Sequence, residues 1–295
     1  MKKIPFYKIQ GNGNDFILID NRRGILKGKG LSGLAKTVCH RNRSVGADGL
    51  IVIVPSKKAD FKWRFFNADG SEAEMCGNGS RCAARFAVLR KIAPKKMSFE
   101  TMAGIIHAEV KKGTVRVQMT GAGGLRQNIT VPVAGGTRTG HFINTGVPHL
   151  VYLSDHLDGE DVQAVGSATR WHDLFKPAGT NVNFVQIDGP HKLRIRTYER
   201  GVEGETLACG TGAVAAALIA ASLGRAASPV TVTTRGGDRL VVAFTREGEE
   251  FIDLYLEGEA TVVCEGTLYL ERRNPVPARI NTRRLLCSRV QWLRS

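Results

Sequence analysis

Two short motifs of the form Cys-Gly-x-Gly, one in each half of the chain, constrain the fold more than any other feature. They are CGNG at 76–79 and CGTG at 209–212, and their cysteines lie 133 residues apart in a chain of 295. Each motif follows a run that favours a strand and opens an alanine-rich segment that favours a buried helix, at 78–91 and 211–223. This repetition predicts a duplicated unit in which a sheet packs around one apolar helix.

Short runs that favour β-strands dominate the rest of the chain, and several alternate apolar and polar residues, as at 192–198. The predicted strands are 16–20, 50–54, 62–66, 114–119, 150–153, 184–187, 193–198, 230–234, 240–244 and 251–256. We therefore predict an α+β protein with two pseudo-symmetric halves, each a mixed or antiparallel sheet wrapped around a central helix.

The glycine-rich stretch 121–140 is the predicted boundary between the halves. The predicted units are 1–120, joined by a returning strand near 262–270, then 121–261, and finally a basic C-terminal extension at 271–295.

Composition limits the classes to which the chain can belong. With 42% hydrophobic and 23% charged residues it is an ordinary globular chain, and its longest apolar stretch, at 212–223, is too short to span a membrane. The N-terminus has no uninterrupted apolar segment of the kind found in secretory signals, so we expect a cytoplasmic protein. The net charge of +15 keeps a nucleic-acid-associated protein open as a minority alternative. However, a third of that surplus lies in 265–295 and the rest is scattered, so no specific nucleic-acid partner is expected.

Common cofactor and metal motifs are absent from the sequence. No two of the six cysteines form a CxxC pair, and the chain has no HExxH, no GxxxxGK[ST] loop and no GxGxxG fingerprint. We therefore expect neither a metal site nor a cofactor.

A cysteine just ahead of a helix suggests acid/base chemistry at sulfur. The unpaired N–H groups and the positive end of the helix dipole favour thiolate over thiol, and the glycines allow backbone amides to approach an anion. Two such cysteines facing each other across a cleft suit stereoinversion. One thiolate removes an α-proton and the opposite thiol delivers a proton to the other face, while the helix starts stabilise the carbanion through its carboxylate.

Five segments carry a resemblance to a known family: GNGNDF at 11–16, FNADGSE at 66–72, MCGNG at 75–79, YERG at 198–201 and ACGTG at 208–212. Together they resemble diaminopimelate epimerases, over about residues 3–270. The asparagine in CGNG distinguishes them from proline racemases, which carry histidine there. The resemblance implies cofactor-independent, two-base interconversion of LL- and meso-diaminopimelate for lysine and peptidoglycan precursor synthesis, often in a homodimer.

The resemblance also implies roles for individual residues. The acid/base pair would be Cys76 and Cys209. The reacting carboxylate would be held by the backbone amides of Gly77, Asn78, Gly210 and Thr211. The distal amino-acid end would be bound by Asn14, Asn67, Asn181 and Arg200. The reacting amine would be contacted by His149 and Glu199, beside the cysteines.

Two positions depart from the family pattern. Gly49 stands where some members have glutamine, and Val147 replaces an asparagine found before Pro-His in others. Another amino-acid racemase or epimerase that uses the same two cysteines, similar to proline racemase, remains an alternative, although Arg200 and the three asparagines favour a substrate with a second amino-acid end.

Overall fold

The computed structural model describes residues 2–26, 30–119, 121–133 and 136–270. Its helices are α1 (Leu31–Val38), α2 (Gly77–Leu89), α3 (Val162–Arg170) and α4 (Gly210–Ser222), with short 3₁₀ turns at Leu157–Gly159 and Asp173–Phe175. The strands are β1 (Lys2–Gly11), β2 (Asn14–Asp20), β3 (Gly49–Val54), β4 (Phe61–Asn67), β5 (Lys96–Thr101), β6 (Gly104–Val110), β7 (Thr114–Gln118), β8 (Gly123–Val133), β9 (Gly136–Asn144), β10 (Pro148–Leu153), β11 (Asn181–Gly189), β12 (Lys192–Glu199), β13 (Gly204–Thr206), β14 (Val230–Thr233), β15 (Arg239–Glu247), β16 (Glu250–Glu259) and β17 (Thr261–Leu270).

The strands form one continuous mixed sheet. Following the hydrogen-bonded pairs from one edge to the other gives the order β17-β1-β2-β3-β4-β5-β6-β7-β16-β15-β14-β12-β11-β10-β9-β8, with β13 paired to β12. The two halves of this order are joined in the middle by the antiparallel pair β7–β16.

The pairing pattern repeats. From β1 to β7 the neighbouring pairs run antiparallel, parallel, antiparallel, parallel, antiparallel and antiparallel. From β9 through β12 to β16 they run in the same sequence. The helices follow the repeat, because α1 and α3 each connect the first parallel pair while α2 and α4 each connect the second. The duplication indicated by the two motifs is therefore a duplication of topology.

Each repeat buries one central helix. The core around α2 is rich in aromatic rings, among them Phe61, Trp63 and Phe99, whereas the core around α4 consists mainly of aliphatic side chains. In α4 every residue from Gly212 to Ala221 is buried, so alanine is needed where the sheet approaches the helix on all sides.

The predicted α+β class is confirmed, and the two central helices begin within one residue of their predicted positions. Two helices, α1 and α3, were not predicted. The glycine-rich stretch 121–140, predicted as a boundary, contributes the paired strands β8 and β9. The strand near 262–270 pairs with β1, while the bounds of the two halves stay a prediction. The predicted extension at 271–295 lies outside the described residues.

None of the helices within the described ranges is long and apolar enough to cross a membrane.

Candidate active site

The two motif cysteines occupy equivalent places, each as the residue that caps the N-terminus of a central helix. Both have extended backbones, with φ of −147° at Cys76 and −126° at Cys209, so the helix begins at the following glycine. The Cys76 sulfur accepts a hydrogen bond from the Gly79 amide at 3.4 Å. The Cys209 sulfur lies 3.5 Å from the Thr211 hydroxyl oxygen. Sulfur thus takes the place of the usual capping oxygen at the start of α2, whereas the Cys209 side chain makes no capping hydrogen bond to α4.

The starts of α2 and α4 lie next to each other. A Cβ placed on Gly210 would be 3.9 Å from Oδ1 of Asn78 on the opposite helix. The Glu199 carboxylate, at the end of β12, raises the pKa of both thiols through its negative charge, in addition to the effect of burial. Two sulfurs, two sets of free helix amides and one carboxylate therefore share a single region between the repeats.

The thiols are less acidic than their helix positions predict. Burial raises the pKa of Cys209 to about 12, and Glu199 adds to the rise. Burial also raises the pKa of Cys76, although hydrogen bonds from the Gly79 and Asn78 amides act in the opposite direction. The expected preference for thiolate is therefore wrong, because desolvation of the sulfur outweighs the helix N–H groups.

On the first repeat, Asn14 at the start of β2 connects Cys76 to a charged cluster. Its Oδ1 lies 3.7 Å from the Cys76 sulfur and accepts from Asn78 Nδ2 at 3.4 Å. Its Nδ2 donates to Asp48 at 2.6 Å. Asn14, Cys76 and Asn78, three of the predicted site residues, are thus brought into contact.

Asn67 lies near this group at the end of β4 but does not contact the thiol. It pairs with Gly49 across the sheet, and its Nδ2 donates to the Ser71 hydroxyl at 3.0 Å. Its side chain is exposed, so it is available to a ligand at the rim of the site.

On the second repeat, His149, Asn181 and Arg200 form the matching group. His149 on β10 pairs with Asn181 on β11. The Asn181 amide donates to the Pro148 carbonyl at 3.0 Å and accepts from the Arg200 backbone N–H at 2.8 Å. Asn181 therefore connects the His149 strand to the segment that carries the arginine.

Among the site residues predicted from the sequence, Glu199 is the one carboxylate. Its Oε2 accepts from the Thr206 hydroxyl at 2.9 Å. Burial raises the pKa of this carboxyl above its usual range, although the Thr206 hydrogen bond acts against the rise. A cationic ligand beside this carboxylate would stabilise its ionised form.

Comparison with known proteins decides the family. The profile of the family described as "Diaminopimelate epimerase" matches residues 6–125 and 141–263. The chain belongs to the diaminopimelate epimerase family. The family and the isomerase class predicted from sequence are thereby confirmed.

Curated diaminopimelate epimerases align with nearly the whole chain. The protein of Hydrogenobaculum sp. (strain Y04AAS1) is 48% identical over 276 residues, covering 90% of this chain and 98% of that protein. The protein of Aquifex aeolicus (strain VF5) is 47% identical with the same coverage. The protein of Archaeoglobus fulgidus is 43% identical over 281 residues, covering 91% and 97%.

Solved structures share the fold at low sequence identity. A phenazine biosynthesis protein of the PhzF family from Bacillus anthracis superposes with a TM-score of 0.70 at 15% identity, covering 92% of this chain and all of that one. A probable proline racemase from Agrobacterium radiobacter K84 superposes with a TM-score of 0.66 at 14% identity, covering 92% and 94%. These likenesses show the fold alone.

Two buried polar residues of the candidate site were not predicted from the sequence. Arg81, fully buried on α2, donates to Asn12, to Asn78 Oδ1 at 2.7 Å and to the Glu259 carbonyl, and no carboxylate of the described chain pairs with it. Asn183, on β11, hydrogen-bonds the His149 ring. Each interrupts an apolar pattern, Arg81 on a buried helix face and Asn183 two residues after Asn181, and that interruption was the available signal.

No group of three or more His, Cys, Asp or Glu side chains in the described ranges is arranged to hold a metal ion.

Proposed function

We propose that this chain interconverts LL- and meso-2,6-diaminopimelate by two-base proton transfer between Cys76 and Cys209, without a cofactor. The observation that carries the proposal is the meeting of two cysteine-capped helix starts, at equivalent places of a duplicated fold, with one carboxylate acting on both thiols. Membership of the family supports the choice of reaction and substrate.

The chemistry is a proton exchange that leaves the redox state unchanged. A thiolate on one side takes the α-proton, and the electron pair passes into the α-carboxylate as an enediolate. The thiol on the other side then protonates the carbon on the opposite face, so the two sulfurs exchange protonation states. Backbone N–H groups of Gly77, Asn78, Gly210 and Thr211 are the predicted donors to that carboxylate, since they lie in the first turns of the two helices.

Ionisation of a thiol requires that the bound substrate lower the pKa of that thiol. Burial raises the pKa of Cys209 to about 12, so the thiolate is scarce at neutral pH. Burial is the main cause of the raised pKa at both cysteines and Glu199 adds to it, so a substrate ammonium beside Glu199 would offset the second contribution. We infer that the thiolate forms mainly in the complex, where it is used.

The distal end of the substrate would be bound by Asn14, Asn67, Asn181 and Arg200. A guanidinium offers a planar pair of donors to a carboxylate, and carboxamides can serve both an ammonium and a carboxylate. Asn181 also holds the backbone of Arg200, so its contribution includes placing the arginine.

The decisive experiment follows deuterium entering the α-carbon in deuterium oxide with no added cofactor. We expect incorporation and epimerisation with LL- and meso-diaminopimelate, and none with proline or glutamate in the same panel. Cys76→Ala and Cys209→Ala should each lower the epimerisation rate on the order of 10²- to 10⁴-fold.

The matched control is Cys264→Ser, which changes an exposed cysteine outside both motifs by one atom. Because Cys264 lies on β17, sedimentation should first show the wild-type oligomeric state, and the rate should then be unchanged. Full activity in either alanine variant would refute the two-base mechanism. Activity on proline in place of diaminopimelate would favour the alternative racemase.

We also propose that the protein forms a homodimer, through β17. This ten-residue edge strand pairs with β1 on one side and with no strand on the other within the described ranges. Val263 and Tyr269 on it are 54% and 55% exposed. Exposed apolar edge strands readily pair with a second copy. Sedimentation analysis should give a dimer that Val263→Glu converts to a monomer, whereas a monomeric wild type would contradict the proposal.

A cytoplasmic location remains part of the proposal. The five cysteines within the described ranges are free, and the mechanism requires two of them as thiols. A reducing compartment keeps them so. Fractionation of cells producing the protein should find the activity in the cytoplasm, and recovery outside it would contradict this assignment.

A further inference from the structure

His149 has one partnered and one unpartnered ring nitrogen, and both are buried. The side chain has no solvent exposure. Its Nδ1 lies 3.1 Å from Nδ2 of Asn183, whereas its Nε2 has no hydrogen-bond partner in the part of the chain that the structure describes. A buried polar atom without a partner is uncommon in a folded protein and points to a ligand.

The orientation of the Asn183 amide follows from its other contacts. Its Nδ2 lies 3.0 Å from the carbonyl oxygen of Leu150, and its Oδ1 lies 3.0 Å from the Thr197 hydroxyl. Exchanging the nitrogen and oxygen would place two carbonyl oxygens 3.0 Å apart with no hydrogen between them. The NH₂ group must therefore face Leu150, and its second N–H points to His149.

This orientation determines which ring nitrogen carries the proton. Nδ1 of His149 faces an N–H donor, so it must act as an acceptor and carry no hydrogen. In a neutral imidazole the hydrogen then resides on Nε2, the unpartnered atom. The ring is neutral because burial, aided by the positive charge of Arg200, lowers the pKa of His149 to about 3. A protonated ring would also direct its Nδ1–H at the Asn183 amide hydrogens.

Asn183 is fixed in place beside the second catalytic cysteine. A Cβ added to Gly212, in the first turn of α4, would lie 2.5 Å from Asn183 Oδ1 and 3.2 Å from the Cys209 sulfur. The amide therefore fills the space that this glycine leaves open. His149 is connected through one rigid side chain to the start of the helix that carries Cys209.

We propose that Asn183 is a positioning residue that holds His149 as the neutral Nε2–H tautomer, so that the histidine offers one buried N–H donor to an anionic substrate group. This inference rests on the proposed function, because the acceptor would belong to the reacting amino acid. An N–H donor pairs with an acceptor atom that has a lone pair, and a carboxylate oxygen has one whereas an ammonium nitrogen does not. His149 therefore suits the carboxylate rather than the reacting amine that the family resemblance implied for it, and Glu199 is left to bind the ammonium.

Nitrogen NMR of the whole protein labelled with ¹⁵N-histidine tests the tautomer directly. The seven histidines are separated by comparison with His149→Phe. In wild type we expect a pyrrole-type shift at Nε2 and a pyridine-type shift at Nδ1 of His149, unchanged between about pH 5 and about pH 9. An Nδ1–H tautomer or an imidazolium in that range would overturn the proposal.

Variants of the network test its use in catalysis. Asn183→Ala removes the donor to Nδ1, so the buried neutral ring can take either tautomer. We expect kcat to fall about 10- to 100-fold, the usual effect of losing a partner that orients a functional histidine, and the ¹⁵N spectrum to show an Nδ1–H population at His149. A purely structural role would not change the tautomer, so an unchanged Nε2–H spectrum in this variant would overturn the proposal.

The matched control is Thr197→Val, which removes the hydroxyl bonded to Asn183 Oδ1 but leaves both Nδ2 contacts. It should keep the wild-type tautomer, and a tautomer change there would contradict the reasoning. The NMR measurement needs no turnover, so it also separates the two proposals. A protein with the Nε2–H tautomer but no diaminopimelate exchange would refute the proposed function, whereas exchange with the other tautomer would refute the inference alone.

Discussion

Adding one methyl group at equivalent places of the two motifs should have very different effects. Gly79 and Gly212 each stand three residues after the motif cysteine, and the sequence treats them alike. A Cβ on Gly79 would meet Ile51, Cys76 and Trp63 carbons at 3.3–3.4 Å. A Cβ on Gly212 would meet Asn183 Oδ1 at 2.5 Å and the Cys209 sulfur at 3.2 Å. Only the contact between a Gly212 Cβ and Asn183 Oδ1 is far below the normal van der Waals separation.

The loss of unfolding free energy in each variant depends on how far the neighbouring atoms can move. Contacts at 3.3–3.4 Å require shifts of a few tenths of an ångström, and alanine recovers up to about 1 kcal/mol of helix propensity, so Gly79→Ala should change the unfolding free energy by about 1 kcal/mol or less. At Gly212 the amide must retreat by about 1 Å to reach normal contact, although three hydrogen bonds hold it. Overpacking of about 1–3 kcal/mol and about 2 kcal/mol in total from weakening the three bonds, less about 1 kcal/mol of helix propensity, predict a net loss near 2–4 kcal/mol.

Urea unfolding and thermal melting of the two variants measure this difference, with Gly33→Ala in α1 as a control at which the added Cβ meets nothing. At about 2–4 °C per kcal/mol for a chain of this size, Gly212→Ala should melt about 4–16 °C lower than wild type. It should also lose epimerase activity, because the displaced amide orients His149. Equal melting temperatures for Gly79→Ala and Gly212→Ala would refute the packing argument.

Three further outcomes are expected. Arg81→Met leaves acceptors on Asn12, Asn78 and Glu259 unpaired in the interior, at about 1–3 kcal/mol each, while loss of a buried guanidinium without a carboxylate partner offsets part of this. The unfolding free energy should therefore fall by about 2–4 kcal/mol, and a loss below about 1 kcal/mol in urea titrations would contradict this. Burial raises the pKa of both Cys39 and Cys209 to about 12, so their protonated forms stabilise the fold fully below the unfolded thiol pKa of about 8.5 and progressively less above it. Urea titrations should therefore show stability falling by up to about 1.4 kcal/mol per pH unit per thiol above that pKa, with a shallower fall in Cys39→Ala; a flat profile would be inconsistent. Arg200→Lys loses the planar donor pair, so KM for diaminopimelate should rise about tenfold with a smaller change in kcat, and an unchanged KM would exclude a contact with the distal carboxylate.

Much of the fold could be predicted because its signals are local. Glycine after an extended cysteine and a run of alanines specify where α2 and α4 begin and that they are buried. Two copies of that signal also predict the duplication, which the repeated strand pairing displays. The short helices α1 and α3 carry weaker signals: α1 has eight residues with a glycine inside, so its propensity is low and packing against β3 and β4 must stabilise it.

The sequence by itself determined the family, the pair of cysteines and the helix starts that present them, because each depends on residues adjacent along the chain. Tertiary structure alone decided how acidic those cysteines are, since the pKa of Cys209 depends on strands and on Glu199 that fold around it. It also decided the roles of Arg81 and Asn183, which are set by partners on other elements. Desolvation and hydrogen-bond direction depend on groups that are distant in sequence, and only folding brings those groups together.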